Sequence, residues 1–300
     1  MLAILLAAAA ATSPGARGAR QPLGTQAARD PAKRARQIAR GLPWANDAML
    51  ELRREAGKIE DPGLRAATET QILAPWMPRE TWALAHLQEA RKLLGDPGLT
   101  LPPPDQGDFA AAPGGECETG HHGYPGGLAV HALANLLHGR ALAILDRHLY
   151  KTEASMDFLA AAAIWQDSMK AATLPWKPDG SCGPEAAIAG APAHVVLGLA
   201  TAISRHLPKE LLFVIGSAGS TDLAQVCRWV KAASILAVGH DTECLAKLPL
   251  EAYLMNAANA SVPLAVAAWT SYVRDAPRGW ARFDALLQDG NDVAFYQRSR

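Results

Sequence analysis

The chain has 300 residues, long enough to bury a large core in one or two domains. Its 29 basic and 29 acidic residues cancel, which excludes a global field for nucleic acid or an anionic membrane surface. Apolar residues make up 49% and aromatics only 6%, with Ala and Leu prominent, a composition that favours helix over sheet.

Met1 to Ala11 is an unbroken apolar run, too short to span a bilayer but of the length of a signal-peptide core. Residues 1–19 are therefore expected to be an export signal, with a periplasmic or secreted product. A plain hydrophobic N-terminus on a cytoplasmic protein is the competing reading, because the first residues carry no Lys or Arg. Residues 20–29 have the composition of a linker. No later apolar run escapes Pro, Gly or charge for long enough to predict a second membrane span. Asp30-Pro31 predicts a helix cap and first position, Pro43 starts a second helix, Asp61-Pro62 a third and Pro78 a fourth. The Arg-rich helical region 30–95 shows no catalytic spacing, and its charges are read as a solvated face.

Asp96-Pro97-Gly98, Pro102-Pro103-Pro104 and Pro113-Gly114-Gly115 make 96–117 a connecting loop or a lid. Helices are then predicted near 125–148, 154–172, 186–206, 208–218, 221–238, 249–272 and 279–288, in a helical domain spanning 118–300. No useful period-2 alternation and no internal repeat appears, so the expected class is all-α. Cys117, Cys182, Cys227 and Cys244 show no C-x-x-C spacing. They form up to two disulfides if the compartment is oxidising and are ordinary thiols otherwise.

The informative stretch is ETGHHGYPGGLAVHALANLLHGRALA, residues 118–143. On a helix, Leu128, His131, Asn135 and His138 share one face. An inward histidine on such a helix is a hydrogen-bonded core residue or a metal ligand. Asp167 sits late in the apolar DFLAAAAIWQDSMKAA and needs a metal, a cation or water as partner, with Lys170 three residues on as the local candidate. His194 recurs in a similar apolar setting. Three such groups on successive helices suit a divalent metal site. His138, His148 and His206 are read as structural, and His240-Asp241 as a coincidental loop dipeptide.

HHGYPGGLAVHALAN, AAAIWQDSMK and AGAPAHVVLGLATAISRHLP resemble successive motifs of the HD-domain superfamily of metal-dependent phosphohydrolases, over roughly residues 118–270. The resemblance implies an HD-like helical bundle with an N-terminal helical extension. It implies that His131, Asp167 and His194 hold a divalent ion (Mn, Fe, Ni or Zn). Asp167 and Lys170 would be the catalytic pair acting on a small phosphate ester, possibly a nucleotide. His121 and His122 would contact substrate phosphate or support His131, and Lys177, with Asp179 nearby, would bind an anion at the cleft mouth. Gln166 stands where the family has the histidine of its His-Asp pair, and Asn259 where it has a late aspartate. Both are poorer ligands, which keeps open a catalytically inactive HD-like protein that binds a ligand or partner in the same pocket. A di-iron oxygenase of the same type would need a fuller ligand set. Nucleotide-binding glycine loops, H-E-x-x-H and a nucleophile elbow are absent from the sequence.

Overall fold

A computed structural model describes residues 30–75, 84–102, 107–117, 120–270, 280, 283 and 284. The expected export signal, the linker, the start of the fourth helix at Pro78 and most of the helix near 279–288 lie outside them.

The chain is mostly helical, as its composition predicts. Four helices come first: α1 (Pro31–Gly41), α2 (Pro43–Ala56), α3 (Pro62–Leu73) and α4 (Leu84–Leu94). Asp30 accepts from Lys33 N at 2.9 Å, and Asp61 from Leu64 N at 2.6 Å. A proline occupies the first helical position after each, where its missing N–H costs nothing. The bundle follows as α5 (Gly127–Tyr150), α6 (Met156–Trp165), the single turn α7 (Lys170–Thr173), α8 (Ala193–Ser204), α9 (Lys209–Ser217), α10 (Leu223–Val238) and α11 (Leu250–Thr270). Ser155 caps α6 and Asp222 caps α10, while Gly239 ends α10 in the left-handed region at φ 80°.

α6 lies at the centre. Every residue from Leu159 to Trp165 is buried, and the helix is apolar all round, as a helix walled in on every side must be. It packs against α2, α3, α5, α9 and α11. Leu52 and Ala56 of α2 share one hydrophobic cluster with Leu128 of α5, Trp165 and Met255 of α11, so the Arg-rich N-terminal helices and the bundle draw on the same core. Glu55, buried in that wall, takes hydrogen bonds from Arg140 of α5 and from Lys58. Burial raises the Glu55 pKa, and the two cations outweigh it to leave the carboxyl below its usual range.

Three expectations are corrected. The helix predicted over 154–172 breaks after Trp165. Ser168 Oγ donates to the Trp165 carbonyl at 2.9 Å, and the next turns close by three-residue steps (Lys170 N to Asp167 O, 2.9 Å; Ala172 N to Met169 O, 2.9 Å). The hydroxyl competes with the helical ladder. The helix predicted over 186–206 begins only at Ala193. Before it, β1 (Ala187–Ile188) and β2 (Ala191–Pro192) pair antiparallel around Ala189 and Gly190, both at positive φ, the backbone of a tight two-residue hairpin. Finally, α5 is long and apolar enough to cross a membrane by length and composition alone. Its inner face, Leu128, His131, Asn135 and Leu136 among others, is buried against protein.

Candidate functional site

The site grows from a tightly folded approach to α5. A Cβ on Gly127 would stand 1.9 Å from the His122 carbonyl oxygen, so only glycine lets that loop close over the first turn. Gly114 N and Tyr124 N both donate to the same carbonyl at 2.8 Å, and Leu128 N donates to Ala112 O. His122 is held at φ 55°, a strained region for a side-chain-bearing residue, while being buried. Cys117 and Cys182 form a disulfide that joins this loop to the one before β1, and a second disulfide links Cys227 and Cys244.

Asp167 lies in the break after α6, where the chain turns and its side chain can face two helices at once. His131 Nε2, from the first turns of α5, stands 2.6 Å from Asp167 Oδ2. His194 Nε2, from the first turn of α8, stands 3.1 Å from Asp167 Oδ1. Lys170 Nζ is 3.0 Å from Oδ2 and donates to the Gly114 carbonyl at 2.7 Å. His131, Asp167 and His194 are 1%, 6% and 8% exposed. The structure thus brings the three residues together around one carboxylate, with Lys170 beside them.

Glu185, which the sequence reading did not single out, completes the arrangement. Its Oε2 meets His194 Nδ1 at 2.6 Å and its Oε1 accepts the His194 backbone N–H at 2.6 Å, at the positive end of α8. No sequence signal pointed to it, because a helix drawn through 186–206 sends Glu185 elsewhere. The hairpin is what folds it back. Both ring nitrogens of His194 therefore face carboxylate oxygens. Burial disfavours its charge, yet the hydrogen bonds to Asp167 and Glu185 outweigh that and raise its pKa. Glu185 and Asp167 are each raised by burial and more strongly lowered by their cationic and hydrogen-bonding partners, so both are carboxylates.

His131 is placed under opposing demands. Its Nε2 lies 2.6 Å from the Asp167 oxygen and 2.9 Å from Asn135 Nδ2, one an acceptor and the other a donor. One nitrogen cannot serve both, while its Nδ1 is buried without a partner. Burial, only partly offset by Asp167, lowers its pKa and leaves it neutral. His121 and His122 sit against it, their Nδ1 atoms 3.0 Å apart. The His121, His122 and His131 ligand atoms lie within 4.8 Å of one another, a cluster able to hold a metal ion. Burial first, and the neighbouring His131 next, push the His121 pKa down to about 3 and that of His122 well below its ordinary value. All three rings are thus held in the neutral form, the form in which an imidazole can ligate a metal.

The remaining candidates fall outside this set of contacts. Asn259 accepts from Asn135 Nδ2 at 3.2 Å and donates to the Ala218 carbonyl at 3.1 Å, a hydrogen-bonded support one step behind His131. Gln166 is buried with neither end of its amide partnered. Lys177 is exposed and donates to the Gly183 carbonyl, and Asp179 accepts from Ser181, contacts within their own loop. His138 meets Ser261 Oγ at 2.6 Å, and the exposed Asp241 pairs with Lys231, in keeping with structural and surface roles. The chain matches no known family model, no curated protein and no solved structure.

Proposed function

We propose that this cluster is the centre of a divalent-metal-dependent phosphohydrolase acting on a small phosphate ester, as the resemblance to HD-domain proteins implies. The observation that carries the reading is the convergence of two imidazole nitrogens on the two oxygens of Asp167, at 2.6 and 3.1 Å. At bond lengths of about 2.1 Å, two ligands at right angles on one ion stand roughly 3 Å apart, which suits the 3.1 Å separation, while the 2.6 Å contact is a hydrogen bond that an ion would open. When His131 Nε2 is a ligand it no longer has to donate to Asp167, and Asn135 Nδ2 keeps its donation to Asn259 Oδ1.

His131, Asp167 and His194 would hold the ion, and His121 and His122 extend the donor set. A divalent ion there supplies a Lewis acid and lowers the pKa of bound water. The chain's own residues do the rest. Glu185 accepts from His194 Nδ1, which fixes the ring and leaves Nε2 as the ligand atom. Lys170, held on the Gly114 carbonyl, carries positive charge to the edge of Asp167, where negative charge develops on a phosphoryl group in transfer. Two disulfides fit an oxidising compartment, in line with export.

A second reading, a ligand-binding protein without turnover, is favoured by the amides of Gln166 and Asn259 and by the Lys170 ammonium already paired with Asp167. Elemental analysis after equilibration with Mn, Fe, Ni or Zn separates the two. About one ion per chain that disappears in a folded Asp167→Ala variant, together with turnover of an aryl phosphate, supports the hydrolase. Metal retained with no turnover supports the binding protein. Absence of any bound metal removes both the ion and the chemistry derived from it.

A further inference from the structure

A second site lies on the Arg-rich face that the sequence suggested was merely solvated. The C-terminal half of α1, the face of α2 from Asn46 to Arg53 and the 108–111 loop line an open hollow of about 420 Å³. That is the size of a small-molecule site. Arg36, Arg40 and Arg53 line it from two helices. Asn46 fixes the corner between those helices, donating through Nδ2 to the carbonyls of Arg40 at 3.1 Å and Leu42 at 2.9 Å. The cations therefore sit on rigid elements.

The three guanidinium groups make no ion pair or hydrogen bond among the described residues. Arg147 and Arg228, isolated on the exposed surface, share that lack of a partner, whereas several other arginines are engaged. The guanidinium groups of Arg34, Arg54 and Arg140 reach carboxylates, and those of Arg65, Arg91 and Arg205 reach carbonyls. The lining carries one carboxylate, Asp108, whose Oδ1 also accepts the Ala110 N–H at 3.1 Å. Three positive charges against one negative, gathered in a concavity, leave an excess of two. A guanidinium presents a planar fork matched to phosphate oxygens, and three of them around one hollow offer such a ligand several charge-assisted hydrogen bonds at once.

We propose that this hollow binds a small molecule bearing two or more phosphate groups, at a site separate from the histidine cluster. One phosphate would leave a guanidinium unmatched, whereas a di- or triphosphate engages all three. The concavity and size favour a small ligand over a polymer, and the balanced net charge of the chain gives a nucleic acid no extended track.

Calorimetric titration of the full chain, stripped of divalent ions, with inorganic tripolyphosphate in about 50 mM salt tests this, since added salt screens exposed charge. Saturable binding at one site per chain is expected. Arg36→Ala, Arg40→Ala and Arg53→Ala should each weaken it about tenfold, and Asp108→Asn should tighten it. His131→Ala and Asp167→Asn should leave it unchanged, which separates this site from the metal cluster. The arginine substitutions remove no internal contact and should leave the melting temperature unchanged. If combined variants unfold, Arg40→Gln alone carries the test. Lack of saturation at 1 mM tripolyphosphate, equal affinity after removal of the arginines, loss of binding in His131→Ala, or binding of polymeric nucleic acid alone would each overturn the proposal.

Discussion

Glu185 decides what His194 can do. A neutral imidazole has one N–H, yet His194 faces a carboxylate on either side, so without a metal it carries a proton at both nitrogens. Binding an ion at Nε2 must expel that proton, and Glu185 then holds the remaining one on Nδ1. Glu185→Gln keeps the shape but weakens the acceptor, and it is expected to lower metal affinity about 10- to 100-fold with little change in fold. A competition titration with a chromogenic chelator checks this, and an unchanged affinity would remove Glu185 from the site. The residues legible in the sequence were those whose polarity clashed with their surroundings. His131, Asp167 and His194 each stand alone on an apolar helix, and a buried polar group must find a partner. Glu185 was illegible because an acidic residue in a Gly/Pro-rich loop looks solvated until the hairpin that turns it inward is known.

The elements that carry these side chains are set by short-range chemistry, and their connections decide the geometry. Helix starts were readable from Asp-Pro caps, because a cap and its proline act within one turn. The break after Trp165 was not, since Ser168 is also held by Gln71 Nε2 at 2.7 Å, from a helix nearly a hundred residues earlier. The two loops that bring His121, His122 and Glu185 to the cluster are joined by the Cys117–Cys182 disulfide and by Glu185 N donating to Glu116 Oε1 at 3.2 Å. Opening that 65-residue link in a Cys117→Ser, Cys182→Ser variant should cost roughly 4 kcal/mol of stability, and metal affinity should fall with it. The Cys227–Cys244 disulfide, which ties the start of α10 to the loop 17 residues on, provides the contrast. Its removal should cost roughly 3 kcal/mol and leave metal affinity alone. Urea unfolding with a parallel metal titration compares the two variants, and equal effects on affinity would contradict the assignment of the first disulfide to the site.

Across the whole molecule, the buried histidines tie stability to pH. His121, His122 and His131 are held neutral, with folded pKa values below those of the unfolded chain. As pH falls below about 6.5, the unfolded state takes up protons that the folded state refuses, so stability declines. His194 has the opposite sign. Its raised pKa contributes stability that is complete below about 6.5 and is lost as pH rises through the folded value. Glu55, Asp167 and Glu185, all depressed, add stability above about 4 that disappears as pH falls through their folded values. The metal-free protein should therefore melt at a lower temperature at pH 5 than at pH 7, as read by differential scanning calorimetry. A higher melting temperature at pH 5 would mean that the histidines are not buried as described.

The proposed metal centre depends on one carboxylate shared by two imidazoles, and an anomalous-difference map from manganese-loaded crystals tests it most directly. A single peak within about 2.0–2.3 Å of His131 Nε2, an Asp167 oxygen and His194 Nε2 is the expected result. A map with no peak there after manganese equilibration, or with the ion bound at residues elsewhere, would contradict it.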